Sequence, residues 1–116
     1  MTSALSHLEC ARCGELHDAD VLVNRCGCGG TLLARYALDR VDPRVFSERP
    51  TGPWRYLELL PLRGEPVSLG EAETPLLPLT RIGGDWGVEL LVKDDSPLPG
   101  GTFKARGAMV GLGRAR

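Results

Sequence analysis

Lysine is nearly absent from this chain. Of 116 residues 14 are basic, yet only Lys93 and Lys104 are lysine and the rest are arginine. Arginine therefore carries the positive surface charge, and each lysine asks for a reason. Aromatic residues are scarce too, at 5%, so any core is thin. No run approaches the roughly 18 consecutive apolar residues that span a bilayer. Residues Met1 to His7 lack the basic and apolar regions of a signal peptide. The expected compartment is the cytoplasm, where cysteines serve as metal ligands or free thiols rather than disulfides. The net charge is −1 with no basic cluster, which argues against nucleic acid or a membrane surface as a partner held by bulk electrostatics. There is no internal repeat and no low-complexity segment. What is plentiful is glycine, 15 residues, and proline, 9, so much of this single small domain's worth of chain is turn and loop.

The four cysteines fall in two pairs, Cys10-x2-Cys13-Gly14 and Cys26-x-Cys28-Gly29-Gly30. Pairs at this separation read as a small zinc ribbon. The glycine after each pair lets the backbone turn its N–H groups toward sulfur. Cys10, Cys13, Cys26 and Cys28 are the candidate metal ligands. His7 and His17 could ligate in principle, but four cysteines already complete a tetrahedral site. The alternative is a degenerate ribbon with four free thiols. Residues 1–8 are expected to fray, and strands are expected at Asp20–Arg25 and Thr31–Tyr36, forming a hairpin. A segment this small needs metal to supply the stability its core lacks.

Beyond it, Asp42-Pro43 and Arg49-Pro50-Thr51-Gly52-Pro53 mark a linker, with a helical turn or two between Val41 and Glu48. The apolar spacing of Trp54–Leu60 predicts a short helix ended by Pro61. Thr74–Leu79 carries two prolines and predicts an edge strand. Arg81–Gly87 reads as a loop, and Val88–Lys93 as a strand buried on at least one face. Asp94 and Asp95 read as loop and turn residues rather than an acid–base pair. Lys93 stands beside these two carboxylates, which hold it as a cation and make it a poor nucleophile.

Lys104 is different. It follows the loop Ser96-Pro97-Leu98-Pro99-Gly100-Gly101 and opens a helix-like run. Thr102 is the expected N-cap, with Phe103 the first helical residue and Lys104 the second. The unpaired N–H groups of a first turn disfavour a cation and favour a neutral, nucleophilic amine, and burial would push the same way. Such an amine suits Schiff-base chemistry with an aldehyde cofactor.

Pro99-Gly100-Gly101-Thr102-Phe103-Lys104-Ala105-Arg106-Gly107 resembles the lysine motif of pyridoxal-phosphate enzymes with the tryptophan-synthase-β-like fold. Val67-Ser68-Leu69-Gly70-Glu71-Ala72-Glu73-Thr74-Pro75-Leu76 resembles the segment that opens their catalytic domain. Trp54-Arg55-Tyr56-Leu57-Glu58-Leu59-Leu60-Pro61 and the cysteine-bearing N-terminus narrow the resemblance to threonine synthases and close relatives. It implies that Lys104 binds pyridoxal 5'-phosphate covalently and then serves as base or acid at carbon. Phe103 and Thr102 would lie near the cofactor, and Arg106 would form a structural ion pair. The implied substrate is a small amino acid, O-phosphohomoserine, converted with water to threonine and phosphate. Other enzymes of the superfamily, threonine dehydratase-like or β-replacement synthases, and a non-enzymatic zinc-ribbon binding module are the alternatives. Ala105 stands where threonine synthases often have Asp, Leu98 where they have Asn, and Ala72 where Gly is usual.

The expected architecture is an α/β fragment. Residues 1–37 form a zinc-ribbon-like β segment and residues 38–66 a linker with a short helix. Residues 67–116 form the start of a fold type II pyridoxal-phosphate domain. The resemblance implies a longer parent, with a phosphate-binding loop and a partner for the pyridine nitrogen beyond Lys104. This chain alone is expected to be inactive, and the parent could form a homo-oligomer.

Overall fold

A computed structural model describes residues 3–116. Strands β1 (Leu5–Cys10), β2 (Leu16–Asp18) and β3 (Leu32–Tyr36) form an antiparallel sheet in the order β2-β1-β3. In β3 the side chains alternate, and Leu32, Ala34 and Tyr36 pack on a core of Leu5, Leu8 and Ala19. The central strand β1 is less regular. A register shift between Leu5 and His7 lets Leu5 and Leu8, three apart, both be buried.

The expectation that residues 1–8 fray is overturned for the described part; Met1 and Thr2 lie outside the described residues. The Ser3 hydroxyl donates to the Leu60 carbonyl and accepts from the Leu5 N–H, and Ala4 N–H donates to the Glu58 carbonyl at 2.8 Å. These bonds hold the start of the chain against the linker. The strand expected at Asp20–Arg25 is also absent. The Asp18 carboxylate accepts from the Asp20 N–H at 2.8 Å and turns the chain there. Val21 and Leu22 are left exposed, and β3 pairs with β1 in place of the predicted hairpin strand.

The linker consists of 3₁₀ turns at Leu38–Arg40, Pro43–Phe46 and Pro53–Leu59. The last was expected as a short α-helix. It is instead a tighter run, interrupted by the non-helical Tyr56 and ended before Pro61 by extended Leu60. Arg49 clamps it, donating to both Glu58 carboxylate oxygens at 2.5 and 2.7 Å and to the Arg55 carbonyl at 3.0 Å.

Strands β4 (Leu76–Pro78) and β5 (Leu91–Lys93) form a second, two-stranded antiparallel sheet, joined by helix α1 (Thr80–Trp86). The loop expected over Arg81–Gly87 is this helix. Within it, Gly83 permits close packing. A Cβ there would lie 2.6 Å from the Val88 carbonyl oxygen. Gly87, at φ 65°, ends the helix, its N–H reaching the Gly83 and Gly84 carbonyls. The strand expected at Val88–Lys93 is shorter and not buried, since Leu91, Val92 and Lys93 are all exposed. This open second half helps explain a radius of gyration of 17.2 Å, against about 13 Å for a compact chain of this length.

Helix α2 (Lys104–Ala115) docks through its C-terminal end on the linker and on the turn after β2. Leu62, 2% exposed, fills the space at Gly113, where a Cβ would come within 2.9 Å of it. Arg114 donates to the Ala19 carbonyl at 2.8 Å and the Pro61 carbonyl at 3.2 Å. The whole is a small mixed α/β structure with two small sheets. Among the described residues no helix is long and apolar enough to cross a membrane.

Candidate functional site

Strand β1 delivers Cys10 to the end of the first sheet, and the turn after it delivers Cys13. The loop before β3 delivers Cys26 and Cys28. Their four sulfurs lie within 4.8 Å of one another. The Cys10–Cys28 and Cys13–Cys26 sulfur separations are 3.5 and 3.6 Å. Tetrahedral zinc with bonds of about 2.3 Å sets its sulfurs about 3.8 Å apart, so the cage is already close to a zinc site's dimensions. The N–H groups of Arg12 and Cys13 point at the Cys10 sulfur at 3.4 and 3.5 Å. Led by the Cys13 N–H, they hold that thiol down at about 6, favouring the thiolate a metal requires. The Glu15 carboxylate, 3.0 Å from the Cys26 sulfur, pushes Cys26 up instead. The one-residue spacer Cys26-Gly27-Cys28 does not spoil the cage, because Gly29, at φ 81°, turns the chain so that its N–H returns to the Cys26 carbonyl at 2.8 Å.

Gly30 is buried behind this cage. A Cβ there would stand 2.5 Å from the Cys10 sulfur and 2.9 Å from Arg12 Cβ. Gly30→Ala is expected to weaken metal binding by about 10–100-fold, as loss of a supporting contact around a metal site does. Competition against a chromophoric chelator would measure it, and wild-type affinity in the variant would show that the cage yields freely.

Lys104 lies at the other end of the molecule's long helix. Thr102 is extended and Phe103 already helical, and the helix starts one residue later than predicted, with Phe103 rather than Thr102 at its N-cap and no side-chain cap bond there. The Thr102 hydroxyl accepts from the Lys104 N–H over a long 3.4 Å. Lys104 is exposed, so burial does not add to the effect of the helix start. It does line a mostly apolar cavity of about 330 Å³, together with Thr102, Leu69, Ala105 and Leu112. Phe103, expected beside the cofactor, is 65% exposed and is not part of that lining. Lys93, the lysine set aside, donates to the Thr74 carbonyl at 2.9 Å.

Three residues behind Lys104 fix the start of α2. Arg106 donates to both Asp95 oxygens at 2.6 and 2.8 Å and to the Thr74 hydroxyl at 3.0 Å. The Thr74 hydroxyl donates to Asp95 at 2.9 Å. The expected structural ion pair of Arg106 is therefore present, and its guanidinium holds the Asp95 carboxyl down at about 2. Asp94 caps the turn by accepting from Ser96 N–H at 2.9 Å, as a loop residue should. The sequence reading missed Thr74, which is 3% exposed. Its partners lie 21 and 32 positions away, beyond any local pattern.

No protein-family model and no solved structure matches this chain. Threonine synthases do match in sequence, among them three from different organisms. That of Methanocaldococcus jannaschii is 40% identical over 113 residues, covering 91% of this chain and 28% of that protein. That of Methanosarcina acetivorans is 34% identical over 113 residues, covering 94% of this chain and 28% of that protein. That of Halalkalibacterium halodurans is 40% identical over 63 residues, covering 53% of this chain. The chain spans less than a third of the length of these relatives, and the similarity supports a threonine synthase-like relationship for it.

Proposed function

We propose that this chain is the cofactor-lysine portion of a threonine synthase-like enzyme that converts O-phosphohomoserine and water to threonine and phosphate. The observation that carries this reading is the similarity to threonine synthases over nine-tenths of the chain, together with a lysine motif that lies within it. In this reading the parent also contains a phosphate-binding loop, and residues 67–116 belong to its catalytic domain. Residues 1–37 form a zinc ribbon beside it.

The residues present suit pyridoxal phosphate in part. Lys104 offers a primary amine on a concave, mostly apolar wall, while the first-turn N–H groups of Lys104, Ala105 and Arg106 are already taken by Thr102 and Phe103. Bound there, the cofactor would supply an electron sink for the amino-acid substrate. Lys104 would hold it and, once displaced by the substrate amine, move a proton at the substrate carbon. The Thr102 hydroxyl accepts from the Lys104 N–H, and Asp95 with Arg106 keeps that helix end from swinging.

The test is made in the parent polypeptide. Incubation with pyridoxal phosphate and then borohydride is expected to leave a phosphopyridoxyl group on the peptide that contains Lys104. Lys104→Ala should remove the label and lower phosphate release from O-phosphohomoserine by at least about 1,000-fold, since the group acts both as carrier and as base. A label that persists in the variant would move the site elsewhere.

A further inference from the structure

A second group of potential ligands stands directly against the cysteine cage. Glu15, His17 and Cys26 place a carboxylate oxygen, an imidazole nitrogen and a sulfur within 4.8 Å of one another. Glu15 and His17 are two apart, just before and within β2, so the strand's alternation sends both side chains to the same face. Cys26 faces them from the loop that precedes β3. The Cys26 sulfur is 3.0 Å from Glu15 Oε2, and Glu15 Oε2 is 3.8 Å from His17 Nε2. Ligands around one tetrahedral zinc ion, at bond lengths of about 2.0–2.3 Å, stand roughly 3.3–3.8 Å apart. The two separations bracket that range.

His17 Nε2 adds a second observation. It is buried and has no hydrogen-bond partner among the described residues. Its distance to Glu15 is too long for a hydrogen bond. A buried ring nitrogen without a partner calls for an explanation, and a metal ion in the gap between it, Glu15 and Cys26 supplies one. Charge points the same way. Four thiolates around one divalent ion leave an excess of two negative charges, and Glu15 adds a third against the Cys26 sulfur. A second cation would relieve that crowding.

We propose that Glu15, His17 and Cys26 form a second site for a borderline-soft divalent cation, with Cys26 bridging it to the ion held by the four cysteines. The three protein ligands leave a fourth position for solvent or a small anion. This inference rests on the four-cysteine reading, since Cys26 belongs to both sites.

Cobalt(II) titration of the purified chain distinguishes the two. Thiolate-to-cobalt absorption and metal analysis after gel filtration are expected to give two equivalents per chain. His17→Ala and, separately, Glu15→Gln are expected to give one, with the four-thiolate absorption intact, while His7→Ala keeps two. One equivalent in the unaltered chain, or two in both His17→Ala and Glu15→Gln, overturns the second site alone. No tightly held cobalt overturns both sites.

Discussion

Removing metal from this chain is expected to unfold its first sheet. A strong chelator, or Cys10→Ser, should abolish most of the β signal in circular dichroism and the exchange protection of β1 amides. The reason is the size of the core. Only Leu5, Leu8 and Ala19 are buried in that cluster, with four half-buried neighbours around them. Such a core cannot order some thirty residues unaided. A structural zinc site contributes on the order of 10 kcal/mol, and binding and folding become one equilibrium. Cys10 is the most damaging ligand to lose. It is 2% exposed, ends the central strand and receives the N–H groups of Arg12 and Cys13. The arginine bonds from Arg63 to the Leu5 carbonyl and the Asp20 carboxylate, and from Arg114 to the Ala19 carbonyl, should not rescue the sheet, because they add hydrogen bonds without enlarging its small apolar core. Full β1 protection in a chain shown to be metal-free would refute this account.

Breaking the Thr74–Asp95–Arg106 cluster is the second large effect. Thr74→Val leaves a half-buried carboxylate and guanidinium short of one partner and is expected to cost about 0.5–1.5 kcal/mol. Arg106→Met and Asp95→Asn should each lower the melting temperature. The double variant should fall by less than the sum, since either change alone already dissolves the pair. Acid should act through the same residue. In the folded chain Asp95 sits at about 2 against an ordinary 3.8, so its carboxylate is the favoured form. A group depressed in this way contributes its full stability above pH 3.8 and loses it as pH falls toward 2. Glu58 is likewise lowered, by the Arg49 guanidinium. Asp95→Asn is therefore expected to flatten the acid transition rather than remove it. Thermal melts between pH 5 and pH 2 would show this, and an unchanged slope in Asp95→Asn would remove Asp95 from the explanation.

Much of the candidate site was readable before any fold. The spacing of Cys10, Cys13, Cys26 and Cys28, with glycines after each pair, implied a four-sulfur cage, and the sulfurs do come together. Thr102 before Phe103 and Lys104 implied a helix start, and α2 begins there. These features rest on interactions across a few residues, where backbone preference and side-chain chemistry act together. The similarity to threonine synthases agrees with the lysine motif and the cysteine-bearing start.

The misreadings share one cause. Leu5 and Leu8 do not alternate, so β1 shows no strand pattern until a bulge, set by its neighbours β2 and β3, brings both inward. Gly83-Gly84 reads as a break until the chain returns through Val88 and presses on Gly83. Val21 and Leu22 suit a strand by composition, yet the Asp18 turn withholds a partner from them. Lys104 is exposed although it lines a cavity. The amino-acid order alone settled what is decided over a few residues: the cysteine pairs, the turns and the helix start beneath Lys104. Tertiary structure decided which strand is central, which glycines sit inside a helix, and how Thr74, Asp95 and Arg106 meet. The first and last of these depend on partners far along the chain, whose attraction exists only once packing has brought them within reach.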